Sequence, residues 1–435
     1  MKFEILRKSH LKRNIIIGVV CIAIISAIVL NFTRAKYRTT QSIPLVNGTI
    51  NYAPYDLKMV AMYQEEDGEY KSIDTVPTSG YSLNEEKSYC EINNAKDNTV
   101  SMEYKNGKVY IGVTKKGTKC YLYFDKQILA KDTILANSKV NEGTPDFSKT
   151  ATTDEGIYKA EDDWGESYYF RGAVTNNYVK FAGFYWRIIR INGDGSIRLI
   201  YDGTSLHNNG ESSNDKQIIS NVFNNSYQQN EYVGYIYTLD QVHGLDTESQ
   251  VKKALDSWYK TNIMNENYEN KISTEVGFCG DREPSTNQTA INGSGGIGSA
   301  VTYYGSYIRL ITNKIPTLKC TNKEDLYTSK ESKKGNNILT YPIGLITADE
   351  VSMAGGVFDI DNTNYYLYSN SYWTMTPRYF NGALAYVFLI SSTGNLNGVG
   401  VAGHSHGVRP VINLSNDVEI KSGNGTISAP YEISD

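Results

Sequence analysis

Residues 14–32 read NIIIGVVCIAIISAIVLNF, nineteen positions without one charged side chain. As a helix such a run rises about 28 Å, close to the hydrocarbon thickness of a bilayer. A cleavable signal peptide has a shorter apolar core, about 7–15 residues, followed by a small-x-small cleavage site. Here the exit reads Asn31, Phe32, Thr33, Arg34. Cys21 follows Gly18, Val19 and Val20, without the small residues of a lipoprotein signal. The run therefore predicts an uncleaved transmembrane anchor. Lys2, Arg7, Lys8, Lys12 and Arg13 precede it, and only Arg34, Lys36 and Arg38 follow closely. The positive excess places the N-terminus in the cytoplasm and the body outside the cell.

The whole chain sums to -4 although residues 1–38 are basic, so the body beyond them is acidic. That balance argues against nucleic acid, whose binding needs clustered Lys and Arg. Apart from Cys21 the cysteines are Cys90, Cys120, Cys279 and Cys320. An even set in an exported chain predicts disulfides, and four cysteines allow three connectivities. Cys90–Cys120 with Cys279–Cys320 is favoured, because it keeps each bridge within one domain. No Cys-x-x-Cys spacing occurs, which argues against a zinc or redox centre.

After the tail and anchor (1–38), residues 40–128 read as short strands with turns. Asn106-Gly107 joins strands at 100–104 and 109–113 as a hairpin. Along 119–124, Cys120, Leu122 and Phe124 face one way and Tyr121 and Tyr123 the other. This spacing predicts a small β-sandwich spacer. Residues 129–154 lack apolar periodicity and read as a linker. In 155–435, strands are expected at 178–181, 184–191, 197–201, 365–368, 372–376, 383–391 and 408–414. The turn Asn192-Gly193-Asp194-Gly195 lacks the spacing and closing Glu of a calcium loop. Capping boxes predict helices starting at Thr247, with Gln250, and at Thr347, with Glu350. A few helices in a largely β chain give an α+β class.

The motif Phe-x-Gly-x-x-Trp-Arg occurs as Phe181, Gly183, Trp186 and Arg187. Tyr-Trp-x-x-x-Pro follows as Tyr372, Trp373 and Pro377, and Gly-Val-Arg-Pro as residues 407–410. Together they resemble the uncharacterised C-type-lectin-like domains of Firmicutes surface proteins. Those domains are distant relatives of the formylglycine-generating enzyme fold and of retroelement-diversified ligand binders. The resemblance spans about 165–420. It implies a C-type-lectin-like α+β head with Trp186, Trp373 and Arg409 as framework. The commoner Trp-Leu-Arg-Ser-Pro form is replaced here by Trp373, Thr374, Met375, Thr376 and Pro377, so its arginine is missing.

The resemblance places ligand-binding residues in the C-terminal region, and local composition agrees. Arg378, Tyr379, Phe380 and Asn381 follow a proline, and 391–407 is rich in Gly, Ser and Asn. The candidates are Tyr379, Phe380, Asn381, Asn395, Asn397, His404 and His406. The expected partner is an extracellular protein or glycan, with the membrane engaged through residues 14–32. The 35 tyrosines suit recognition, since each joins an apolar face to a hydrogen-bonding tip. No cofactor or metal is expected. His404-Ser405-His406 is flanked by Gly403 and Gly407, as in a loop. The alternatives are a structural envelope component or an extracytoplasmic enzyme. No cysteine follows Cys320 to supply a formylglycine-type centre, and no nucleophile-elbow motif occurs.

Overall fold

The computed structural model describes residues 59–78, 80–105, 107–113, 115–286 and 295–433. The anchor expected at 14–32 lies outside the described residues. Among those described, no helix is long and apolar enough to cross a membrane. The chain divides into two compact units, Met1–Gln127 and Ile128–Asp435.

In the first unit, the strand Lys119–Lys126 runs parallel to Met59–Glu66 and antiparallel to Tyr89–Ile92 and Tyr81–Leu83. Its alternation builds two faces. Leu122 and Phe124 join Met62, Val76 and Val109 in a small core. On the other face, Tyr121 stacks on Tyr89 and Tyr123 on Tyr63, each pair 4.9 Å between centroids. The hairpin Ser101–Lys105/Lys108–Gly112 packs Met102, Tyr104 and Ile111 against the core. The expected β-sandwich is thus corrected: one mixed sheet, with a parallel pair at its centre, carries a single hairpin on one face.

Cys90 and Cys120 are cross-strand partners and form a disulfide. A core of five fully buried apolar side chains is small, so the cross-link matters. Replacing both cysteines with serine should lower the stability of this unit by about 3 kcal/mol, through the freed unfolded chain. Chemical denaturation reads this, and an unchanged midpoint would contradict it.

Two large sheets and two two-stranded ones make up the β structure of the second unit among the described residues, around one large hydrophobic core and a small satellite at Phe147, Tyr169, Leu318 and Met353. In the larger, the strands run in the order Val411–Leu414, Ile197–Gly203, Phe184–Ile191, Tyr178–Phe181, Tyr431–Ile433 and Ile420–Ser422. Gly165–Gly172 is attached at Phe184–Ile191 and in turn pairs with Asp154–Asp162. In the smaller the order is Ile219–Asn221, His406–Val408, Tyr372–Phe380, Ala385–Ile390 and Leu396–Gly400, with Thr302–Tyr303 also on Tyr372–Phe380. Phe184–Ile191 reads as a nearly continuous apolar run because both its faces are covered. Its two arginines are buried with partners: Arg187 on Asn177 and the Val174 carbonyl, Arg190 between Asp162 and Glu350.

The α+β class is overturned, and with it the C-type-lectin-like α+β head. Among the described residues strands take 38% and helices 14%. The reason lies in the helices, which stay short. The helix Gln250–Tyr259 has ten residues and Ala348–Ala354 seven. The capping box at Thr347 is present, but the one at Thr247 is not. Thr247–Glu248 pairs as strand with Ile236–Tyr237, and Ser249 caps the helix through the Lys252 N–H. Residues 129–154, read as a linker, contribute the helix Ala130–Ala136, whose Ala130 and Ile134 enter the core. The strand expected at 365–368 is a buried turn.

Trp186, Trp373 and Arg409 are all buried. Trp186 donates to the Phe181 carbonyl and Trp373 to that of Asn221. Arg409 donates to the carbonyls of Tyr201 and Leu367 and pairs with Asp202 at 3.0 Å. A second disulfide, Cys279–Cys320, lies within this unit.

Candidate functional site

The strands Tyr372–Phe380 and Ala385–Ile390 form a hairpin closed at Asn381-Gly382. Gly382 has φ 90° there, a conformation that glycine takes without strain. The Asn381 carboxamide oxygen accepts the N–H groups of Ala383 and Leu384, so this side chain is spent on the turn. Strand alternation then separates the next two candidates. Phe380 points into the core and is fully buried, while Tyr379 points out and is partly exposed. Phe380 is therefore corrected from ligand contact to core residue.

Tyr379 belongs to a row running straight across the sheet. Its cross-strand partners are Tyr303 on one side and Tyr386 on the other, and the next position, opposite Tyr386, is Gly400. Tyr379 and Tyr386 stack at 4.5 Å with planes 6° apart, and Tyr303 lies 6.0 Å from Tyr379 at 15°. Tyr307 packs edge-on against both Tyr303 and Tyr379. At the Gly400 end the row stops. A side chain there would have only ordinary contacts, with two carbonyl oxygens at 3.7 and 4.0 Å. One flank of Tyr386 is therefore left open.

Arg378 sits in an irregularity of the strand between Pro377 and Tyr379. The bulge takes it out of the regular alternation and lays it along the row. Its guanidinium carbon lies 5.0 Å from the Tyr379 ring, 4.7 Å from Phe358 and 5.9 Å from Tyr307. It crosses the strand Leu396–Gly400 over Gly398. A Cβ on Gly398 would collide with the Arg378 side chain, standing 2.8 Å from Nη1. Burial holds the Arg378 guanidinium below its ordinary pKa, and raises the Tyr379 phenol.

The remaining sequence candidates do not join this row. Asn395 is buried and donates to Asp361. Asn397, partly exposed, caps its neighbour Gly398. His404 is exposed, and His406 bonds through Nδ1 to Ser371 at 2.8 Å with its ring against Trp373. Missed by sequence reading were Tyr303, Tyr307, Phe358 and Tyr386. The apolar-looking run 383–391 hid Tyr386, whose alternate position in that strand is the one available signal.

Elsewhere the buried ion pairs are matched among themselves, while wider clefts of about 460 and 590 Å³ open beside Lys180, Glu266 and Lys271 and beside Glu283, Arg309 and Asn313. Arg309 binds both Asp281 and Asp349, and Glu350 binds Arg190 and Arg198. The cavity among them is about 30 Å³, room for one water. The Ser371–His406 contact lacks a third group to orient the imidazole, since Nε2 is buried without a hydrogen-bond partner. No group of three or more His, Cys, Asp or Glu that could hold a metal occurs among the described residues. Compared with known families, curated proteins and solved structures, the chain matches none of them.

Proposed function

We propose that this chain is a membrane-tethered surface protein that binds a glycan on the tyrosine row of its second unit. The observation carrying this reading is the in-register row Tyr303–Tyr379–Tyr386, which ends at a glycine. Rings held parallel by strand register have little conformational entropy to lose on binding. The open flank beside Tyr386 suits the apolar face of a pyranose. The tether rests on the uncharged run at 14–32. Export is supported by two disulfides, which persist in oxidising compartments.

The tyrosine stacks of the first unit are a weaker candidate. Tyr70 and Tyr121 spend their hydroxyls on Asp125 and Glu91, and that face carries two separate in-register pairs, Tyr63–Tyr123 and Tyr89–Tyr121, rather than one row across three strands. The enzyme alternative gains nothing from the cavity at Arg190, Arg198 and Glu350, which holds about one water.

The test is a polysaccharide binding screen with the full chain, repeated with Tyr386→Ala. Affinity should fall more than tenfold, about 1.4 kcal/mol, because the ring removed borders the open flank. Partial exposure of Tyr386 keeps the cost to folding small. Binding of proteins but no glycan, or glycan affinity untouched by the substitution, would defeat the reading.

A further inference from the structure

Two cations converge on one ring beside the tyrosine row. The Arg378 guanidinium lies 4.7 Å from the Phe358 centroid and the Lys314 ammonium 5.9 Å from the same centroid. Both side chains are half-buried, and among the described residues neither forms an ion pair. Asp359 is close enough to act on Arg378 electrostatically, but stands beyond ion-pair distance. Arg378 makes one long hydrogen bond, 3.5 Å to the Gly398 carbonyl, and its Nε is buried without a partner. The fully buried arginines 171, 190, 198, 282 and 409 each meet a carboxylate, and Arg187, which meets none, is instead satisfied by Asn177, Asn209 and the Val174 carbonyl. Arg378 has neither kind of partner set.

Partial burial takes both cations out of water, a cost that no carboxylate among the described residues offsets at ion-pair distance. Each contact with the rings of Phe358, Tyr379 and Tyr307 returns less than desolvating a charge costs, and position 398 is kept clear of a Cβ where the guanidinium lies. An anion between them supplies the missing counter-charge. A guanidinium presents a planar fork that matches a carboxylate, and an ammonium adds a point charge. The adjoining surface is a stack of flat rings, which calls for a ring on the same ligand.

We infer that the ligand is an acidic glycan, its sugar ring on Tyr386 and Tyr379 and its carboxylate held by Arg378 and Lys314. This rests on the glycan reading above and narrows it to uronic or sialic acid residues. The charge must come from a carboxylated sugar rather than a polyol phosphate, which offers no ring to stack.

The experiment titrates the full chain with oligogalacturonate, a hyaluronan hexasaccharide and sialyl-lactose. Each is paired with its counterpart whose carboxyls are reduced to alcohols, and a poly(glycerol phosphate) is run beside them. At least one acid should bind tenfold or more tighter than its reduced form, with affinity falling steeply with salt. Arg378→Gln and Lys314→Gln should each collapse that preference. The Lys314 side chain has no hydrogen bond to lose among the described residues, so its variant keeps the test readable should the Arg378 variant fail to fold. Equal affinity for acid and reduced forms, with both lost in Tyr386→Ala, would overturn the charge assignment and leave the glycan reading standing. A preference that survives both substitutions, tighter binding of the polyol phosphate, or binding of no acid in the panel would each overturn the inference.

Discussion

Replacing Glu350 with glutamine should destabilise the second unit by about 3–5 kcal/mol, the range for breaking a buried ion pair from one side. Glu350 is 3% exposed. Its carboxylate accepts the Thr347 N–H at 2.9 Å, closing the capping box, and takes Arg190 Nε at 3.1 Å and Arg198 Nε at 2.5 Å. Arg190 would keep Asp162. Arg198 would keep only the Gly277 carbonyl, Asn413 and the face of Phe278. Burial already pulls Arg198 down to about 10, so a lost counter-charge there is not replaced by solvent.

The same residue sets a pH dependence. Burial alone would raise the Glu350 carboxyl, but Arg198 and Arg190 overcome that and hold it below its ordinary 4.5. A carboxylate with a lowered folded pKa stabilises above its unfolded value, and that contribution is lost as pH falls through the folded one. The wild type should therefore weaken on acidification below about pH 4.5, and the glutamine variant should lack that part of the slope. Denaturant titrations at pH 7 and pH 3.5 read both effects. A loss under 1 kcal/mol at pH 7, or parallel acid limbs, would contradict the account.

Trp186→Ala should cost about 3–5 kcal/mol. The indole is fully buried. Its ring meets Tyr201 at 5.6 Å and Trp258 at 6.0 Å, both edge-on, so its removal opens a cavity among rings that cannot all close in. The Phe181 carbonyl also loses its donor. Thermal unfolding followed by tryptophan fluorescence would show this, and a melting temperature within a degree or two of wild type would place Trp186 outside the core.

Much of the local structure could be read from the residues because it depends on near neighbours. The alternation at 119–124 and the box at Thr347 and Glu350 are fixed within a few positions. Grouping Tyr379, Phe380 and Asn381 into one surface failed because adjacent strand residues face opposite ways. The tyrosine row was beyond reach for a different reason. Tyr303 arrives on a two-residue strand from a distant loop, and the irregularity at Pro377–Tyr379 resets which side chains share a face. Phe358 and Lys314 complete the cationic corner from two further segments. No periodicity links such positions, since only tertiary register brings them together. The α+β class failed because capping signals announce where helices start but not how soon they end.

The most direct measurement is hydroxyl-radical footprinting of the full chain, free and saturated with the tightest acidic oligosaccharide. The account predicts protection concentrated on Tyr379, Tyr386, Tyr307 and Phe358, with the first unit's Tyr89 and Tyr121 unchanged. Protection of Tyr89 and Tyr121 instead, with the row at Tyr379 and Tyr386 as reactive as before, would contradict it.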